Sequence, residues 1–417
     1  MLRLLGGELK KLLGKKYIWF ILLALTVYWG YSVGYQQSYY PADPFNQAVW
    51  SYQESISGPL TQEKYEKILA DIESVQGGSE EAPGSISEEL MQQAGRFTPY
   101  NAASDLLLLD QIKIEADYII NEARNRELII QQAQRNLDRL REQNGSAYEI
   151  RVNEKIIDMY RNSKELMLTQ TDGGWSFYFY SNNHTILLLL FLLIVLAPIF
   201  SREYESNMFH ILYPTRGGRG KTAAAKILAA GLVSAGAALY LETVNFFCYA
   251  VNYKMYNWNL PVRNFRCFST SPFNFTIGQY VLIKLALFVL FAVLSGLIIL
   301  FFSKLFSRTI PALISSVVLL GGMFSVAFYF TAPPFLVGNL PLQLQQTKET
   351  LKNWLSSFLV HPDLYFNQFD VVNVIGIPVF SFWIAVGIAV LACFAFALAA
   401  WFLYTRNISL RIFRKKR

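Results

Sequence analysis

"YVLIKLALFVLFAVLSGLIILFF", residues 280–302, decides the architecture. A helix needs about 20 predominantly apolar residues to cross roughly 30 Å of hydrocarbon. This run exceeds that length with a single charge, Lys284. Five more runs share its character: "YIWFILLALTVYWGYSV" from Tyr17, "TILLLLFLLIVLAPIF" from Thr185, "ILAAGLVSAGAALYLETVNFFCYAV" from Ile227, "TIPALISSVVLLGGMFSVAFYF" from Thr309 and "GIPVFSFWIAVGIAVLACFAFALAAWFLY" from Gly376. The runs from Tyr17 and Thr185 are slightly short, and aromatic flanks extend them. Across 417 residues, 53% are hydrophobic and 16% charged, whereas soluble domains carry about 25% charged residues. The deficit points to a membrane protein with six transmembrane helices. The first run lacks a small-residue cleavage site, and Tyr28, Trp29, Tyr31 and Tyr35 form an interfacial aromatic belt. It therefore reads as a retained anchor.

Basic residues orient the spans, because cytoplasmic connections carry an excess of Lys and Arg. Segments 1–16, 201–226, 303–308 and 405–417 hold 5, 5, 2 and 6 of them against three acids, a net of +15. Segment 34–181 holds 13 Lys/Arg against 23 Asp/Glu, a net of −10. Both termini are expected in the cytoplasm of a bacterial cell, and 34–181 outside its plasma membrane. The overall +7 is then a topology signal; no nucleic-acid partner is expected. The tail "RIFRKKR" suits a stop-transfer flank or anionic headgroups of membrane lipid. Three cysteines at these spacings suggest neither a disulfide framework nor a metal site.

Periodicity organises the rest. Leu5, Leu9, Leu12 and Leu13 share one helical face, with lysines opposite, so residues 1–16 predict an amphipathic helix on the inner membrane surface. Leu109, Ile112, Ala116, Ile119, Ala123, Arg126, Ile130, Ala133, Leu137 and Leu140 alternate spacings of three and four. That heptad seam predicts a helix over about 102–143. "NGS", 144–146, supplies a turn, and Val152, Ile156, Met159 and Leu166 continue the rhythm in a second helix. The two predict an antiparallel coiled-coil hairpin; a compact helical domain without a projecting stalk satisfies the same pattern. Before it, 61–76 predicts a helix with Thr61 as N-cap and Tyr65, Ile68, Leu69, Ile72 and Val75 on one face. "TLKNWLSSFLV", 350–360, reads as a short helix on or dipping into the outer membrane face.

The predicted fold class is an all-α integral membrane protein. An interfacial helix (1–16) precedes span one (17–35) and an extracytoplasmic helical domain (36–181). Spans two to six (182–404), with a cytoplasmic loop at 201–226, precede a basic cytoplasmic tail (405–417).

"GGRGKT", 217–222, invites comparison with a phosphate-binding loop. The loop requires a glycine five residues before its Gly-Lys pair, between a strand and a helix. Thr215 occupies that position, and the polar exit of a span precedes it. The cytoplasmic segments are all short, so no nucleotide-binding domain fits, no cofactor is expected in this chain, and the chain itself is not read as an enzyme.

Glu203 and Glu205 follow span two; "YPTR" at 213–216 comes about ten residues later, and Lys226 opens span three. With the amphipathic N-terminus and "LVHPDLYFN" at 359–367, this order resembles ABC-2 type permeases, the membrane subunits of one class of ATP-binding-cassette exporter. Asn207 stands where that family often has glycine, and "GGRG" lengthens the turn. The resemblance covers the six-span part, and 36–181 is an insertion relative to minimal members. It implies two copies of a separate ATPase that bind ATP and Mg, a second permease subunit, the same or homologous, and an exported substrate. By the same resemblance, Glu203, Glu205, Arg216 and Arg219 would couple to the ATPase through ion pairs, with Phe209, Ile211 and Leu212 as apolar anchors. The bland alternative is headgroup-facing flanks.

Two charges lie within spans. Glu242 is about 13 Å below the outer end of span three and Lys284 about 6 Å below that of span four. Charges at such depth pair or face water, so these two are expected to pair; otherwise Lys284 snorkels and Glu242 is protonated or meets water. His184 and His361 read as ordinary interfacial histidines. Aromatic outer segments such as "WSFYFY", 175–180, suit an amphipathic cargo, for example an antimicrobial peptide. A membrane-anchored sensor or scaffold, with its outer coiled coil binding a partner, is the competing function. No nucleophile–base set or paired carboxylates support an enzyme.

Overall fold

A computed structural model describes residues 1–37, 55–76, 102–168, 174–206, 208, 218–252, 255, 257–331 and 342–406. Six helical stretches among them are long and apolar enough to cross a membrane. Element α1 (Leu2–Leu13) precedes the first of these, α2 (Lys16–Gln37). Then come α3 (Gln62–Gln76), α4 (Ala102–Glu142), α5 (Ala147–Arg161) and the short α6 (Gly174–Tyr180). The second stretch is α7 (His184–Leu196) continued by α8 (Pro198–Glu205). The others are α9 (Gly218–Asn252), α10 (Ile277–Leu305), α11 (Thr309–Thr331) and α14 (Ser381–Thr405). Between the last two lie α12 (Leu342–Trp354) and α13 (Asp363–Phe366).

Apolar side chains cover the bundle outside as well as inside. Trp383, Leu391, Phe394 and Leu398 on α14 are exposed, as are Ile310, Ile314 and Val318 on α11. An apolar belt of this extent is costly in water and suited to hydrocarbon. Helix α10 is central, packed against α7, α9, α11 and α14. Close approach of α9 to α10 is set by small residues: a Cβ at Gly296 would lie 2.0 Å from Ser234 Oγ. Ala229, Ala230, Ala237 and Ala238 are buried on the same helix as Ser234, where small side chains let helix backbones come together.

The long seam divides between two partners. Leu109, Ile112 and Ala116 pack with Ile68 and Ile72 of α3, and Ala133 and Leu137 pack with Ile157 of α5. Arg126, the polar interruption, falls between these clusters and donates to Ser163 Oγ at 3.0 Å, just beyond α5. At the turn Asn144 takes a left-handed φ of 49°, and the Gly145 amide bonds to the Leu140 carbonyl at 2.7 Å. The second helix is shorter than its sequence rhythm suggests. It ends at Arg161, its buried residues are Ile157 and Tyr160, and Met167–Leu168 (β2) pairs antiparallel with Gly58–Pro59 (β1). A second small ladder joins Val371–Val374 (β3) to Ile377–Phe380 (β4), so the chain is not purely helical.

The hairpin is docked rather than free-standing. Tyr160 donates to the Thr270 carbonyl at 2.5 Å, Arg151 to the Gly376 carbonyl at 3.1 Å, and Lys155 lies 4.0 Å from the centre of the Phe380 ring. On α4, Tyr118 donates to the Arg263 carbonyl at 2.6 Å, and the Arg263 guanidinium pairs with Glu122. Burial lifts the Tyr160 phenol to about 12. The segment 356–360 is also pinned to α11 on this side of the bundle: Ser357 donates to the Met323 carbonyl at 2.8 Å. Met323 lies eight residues from the end of α11, so the segment descends about 12 Å along that helix. Residues 332–341, which precede α12, lie outside the described residues.

Candidate functional site

Helix α1 with the end of α14, and the hairpin, occupy opposite ends of the bundle, and each end holds a charged cluster. At the terminal end, α1 lies against α9. Lys226 is buried there between two carboxylates, 2.8 Å from Glu203 and 3.1 Å from Glu8, and Lys11 adds a contact of 2.8 Å to Glu8. Burial alone would raise the Glu8 pKa; attraction to Lys226 and Lys11 outweighs it and holds the carboxyl below its usual 4.5. The amphipathic helix is thus ionically joined to the end of α8 and the start of α9.

Glu205 has a different partner. Its carboxylate accepts the Thr309 amide at 2.7 Å and the Thr309 hydroxyl at 3.2 Å. A carboxylate on the free amides of a helix N-terminus satisfies donors that the helix cannot, and complements its dipole. Nearby, Ser303 accepts the Phe200 amide at 3.0 Å, and Ser201 and Thr309 share a hydroxyl contact of 2.9 Å. Residues Glu203 and Glu205, expected to reach a partner protein, are engaged within the chain. The exposed Arg219 begins α9. Phe209 and Arg216, with Ile211 and Leu212, lie outside the described residues.

At the hairpin end, Glu242 and Lys284 are 4.0 Å apart. A closer partner of Glu242 is His184, with Nε2 2.6 Å from Oε2. Tyr178 donates its hydroxyl to the other carboxylate oxygen at 2.7 Å, while its carbonyl accepts from Lys284 Nζ at 2.7 Å. The Lys284 ammonium also lies 4.2 Å from the centre of the Tyr178 ring. Trp29 of α2 bonds to Asn245 at 3.0 Å and sets its ring 5.8 Å from that of His184.

Two expectations are corrected here. His184 is not a surface histidine: it is 1% exposed, beside Glu242 and the rings of Trp29 and Phe288, while Trp175, Tyr178 and Phe179 of α6 are buried nearby. Helix α6 packs against α9, so those three aromatics of "WSFYFY" point inward and are not available as an open cargo surface. His361 lies close by, its Nδ1 3.0 Å from the Asn182 amide. Burial pulls its pKa below 6.5. Sequence spacing offered no sign of Tyr178 as a ligand of Glu242, since 64 residues separate them. Compared with family models, with curated proteins and with solved structures, the chain matches none.

Proposed function

We propose that this chain is the permease subunit of an exporter in the ABC-2 manner, driven by two copies of a separate ATPase that binds ATP and Mg. The observation that carries the reading is the connected terminal face. Glu8, Lys226 and Glu203 join α1, α8 and α9, and Glu205 joins α8 to α11. A partner pressing on α1 or on loop 201–226 would therefore act on three of the six candidate spans, on two through the buried contacts of Lys226 and on the third through the exposed hydrogen bonds of Glu205 to Thr309. Within this reading the hairpin lies outside the cell membrane, and a second permease subunit, identical or homologous, completes the pathway. The exported substrate is amphipathic, with an antimicrobial peptide as the leading example. Arg216 and Arg219, with Phe209, contact the ATPase; Glu203 and Glu205 transmit its movement within the chain.

Tagged full-length chain, purified from its native membrane in mild detergent, tests this. The expected result is ATP hydrolysis that copurifies with the chain, is vanadate-sensitive, and falls when Arg216 and Arg219 are both replaced by Glu. Purified chain that retains no ATPase subunit, yet supports its cellular role when ATP binding elsewhere is blocked, would favour the membrane-anchored sensor instead.

A further inference from the structure

Helix α11 turns much of its surface outward: Ile314 is 54% exposed and Val318 69%. Along this face runs an open apolar groove of about 520 Å³. Its lining on α11 extends from Ile314 to Val326, a rise of about 18 Å. Phe302, close to the end of α10, bounds it toward the terminal face. Leu355, just before the Ser357 that bonds to Met323, bounds it toward the hairpin. Gly322 keeps the middle open, since a Cβ there would meet no atom within 4 Å.

The dimensions select the occupant. Spread along its length, the groove has a mean width of roughly 6 Å, against about 10–12 Å for an α-helix with its side chains. A helix of another subunit is therefore too thick to enter it. An extended peptide is thin enough, but among the nine lining residues only Ser315 carries a polar side chain. The peptide's backbone N–H and C=O groups would be left without partners in hydrocarbon. An unbranched hydrocarbon chain has neither fault, and one leaflet of a bilayer is about 15 Å deep, close to the length of the groove. We propose that the groove is a binding site for a single acyl chain of a membrane phospholipid, held between α11 and the descending segment at Leu355. Surrounding lipid tails are as apolar as the lining, so the hydrophobic effect gives no preference. The preference comes from van der Waals contact on several sides, more than a tail lying on a convex helix face receives. The inference needs α10 and α11 to lie in a membrane and does not depend on an ATPase partner.

The test is photolabelling of the full chain in phosphatidylcholine vesicles doped with a phosphatidylcholine that carries a diazirine in mid-chain. Irradiation expels nitrogen, the carbene inserts into the nearest C–H or O–H bond, and mass spectrometry maps the adducts. Labelling of α11 and Leu355 is expected to exceed several-fold that of Leu391, Phe394 and Leu398, which meet the same bilayer on the exposed face of α14. Gly322→Leu should bring α11 down to the level of α14, because the new side chain occupies the groove. Gly321→Leu, one residue away and outside the lining, should leave the excess in place. Equal labelling of α11 and α14 in the unaltered chain overturns the proposal, and so does an excess that survives Gly322→Leu. If a second copy of the chain covers this face, α11 is shielded and labelled less than α14, which also overturns it. Should Gly322→Leu fail to fold, the comparison of α11 with α14 in the unaltered chain decides alone.

Discussion

Glu242 is the residue with most at stake. It accepts from Tyr178, faces His184 and lies 4.0 Å from Lys284, all under near-complete burial. Removing one member of a buried ion pair costs about 3–5 kcal/mol because the partner is left unpaired. Glu242→Ala and Lys284→Met should each destabilise the protein, and the double variant should lose less than the sum of the two. Unfolding in detergent measures this, and strict additivity would mean that the side chains do not interact. At the terminal end, the lowered pKa of Glu8 gives a pH dependence with a definite sign. A carboxylate whose folded pKa is depressed contributes stability above about 4.5 that is lost as pH falls through its folded pKa. Glu8→Gln should therefore weaken the docking of α1 at neutral pH and reduce its acid sensitivity, measurable as proteolytic release of the N-terminus. The two intramembrane charges were legible because they interrupt apolar runs. The burial of His184 was not, since it depends on Glu242, Trp29 and Phe288, which are far from it in the sequence.

Among elements, the helix-to-helix contacts give the sharpest expectations. Gly296 meets Ser234 where α10 crosses α9. Adding a methyl group to a filled contact costs about 1–3 kcal/mol, so Gly296→Ala should lower the thermal midpoint. Combining it with Ser234→Gly should restore much of the loss. Glu205 serves α11 as an N-terminal cap, and losing such a contact costs about 0.5–2 kcal/mol. Glu205→Ala should show that loss together with faster amide exchange in the first turn of α11, while Glu205→Asp should retain part of the cap. The apolar runs and the heptad spacing revealed the spans and α4, because both depend on local periodicity. They did not reveal that Arg126 reaches Ser163, that α5 stops at Arg161, or that the hairpin rests on the β3–β4 turn. Those features depend on contacts between segments far apart in the chain.

At the scale of the whole molecule, the account rests on six membrane crossings with the charged terminal face on one side and the hairpin on the other. The spans themselves follow from composition, and the proposed sidedness rests on the distribution of Lys and Arg. The terminal face is where an ATPase would act, so a reversed or incomplete topology would remove the basis for the proposed function. Labelling by a membrane-impermeant thiol reagent in intact cells measures this most directly. The three native cysteines are first replaced by serine, and a single cysteine is then placed at Gln134 in α4 or at Lys221 in α9. The account predicts labelling of the Gln134→Cys protein in intact cells, and labelling of the Lys221→Cys protein only after the membrane is opened. Labelling of both sites in intact cells, or of Lys221→Cys alone, would contradict it.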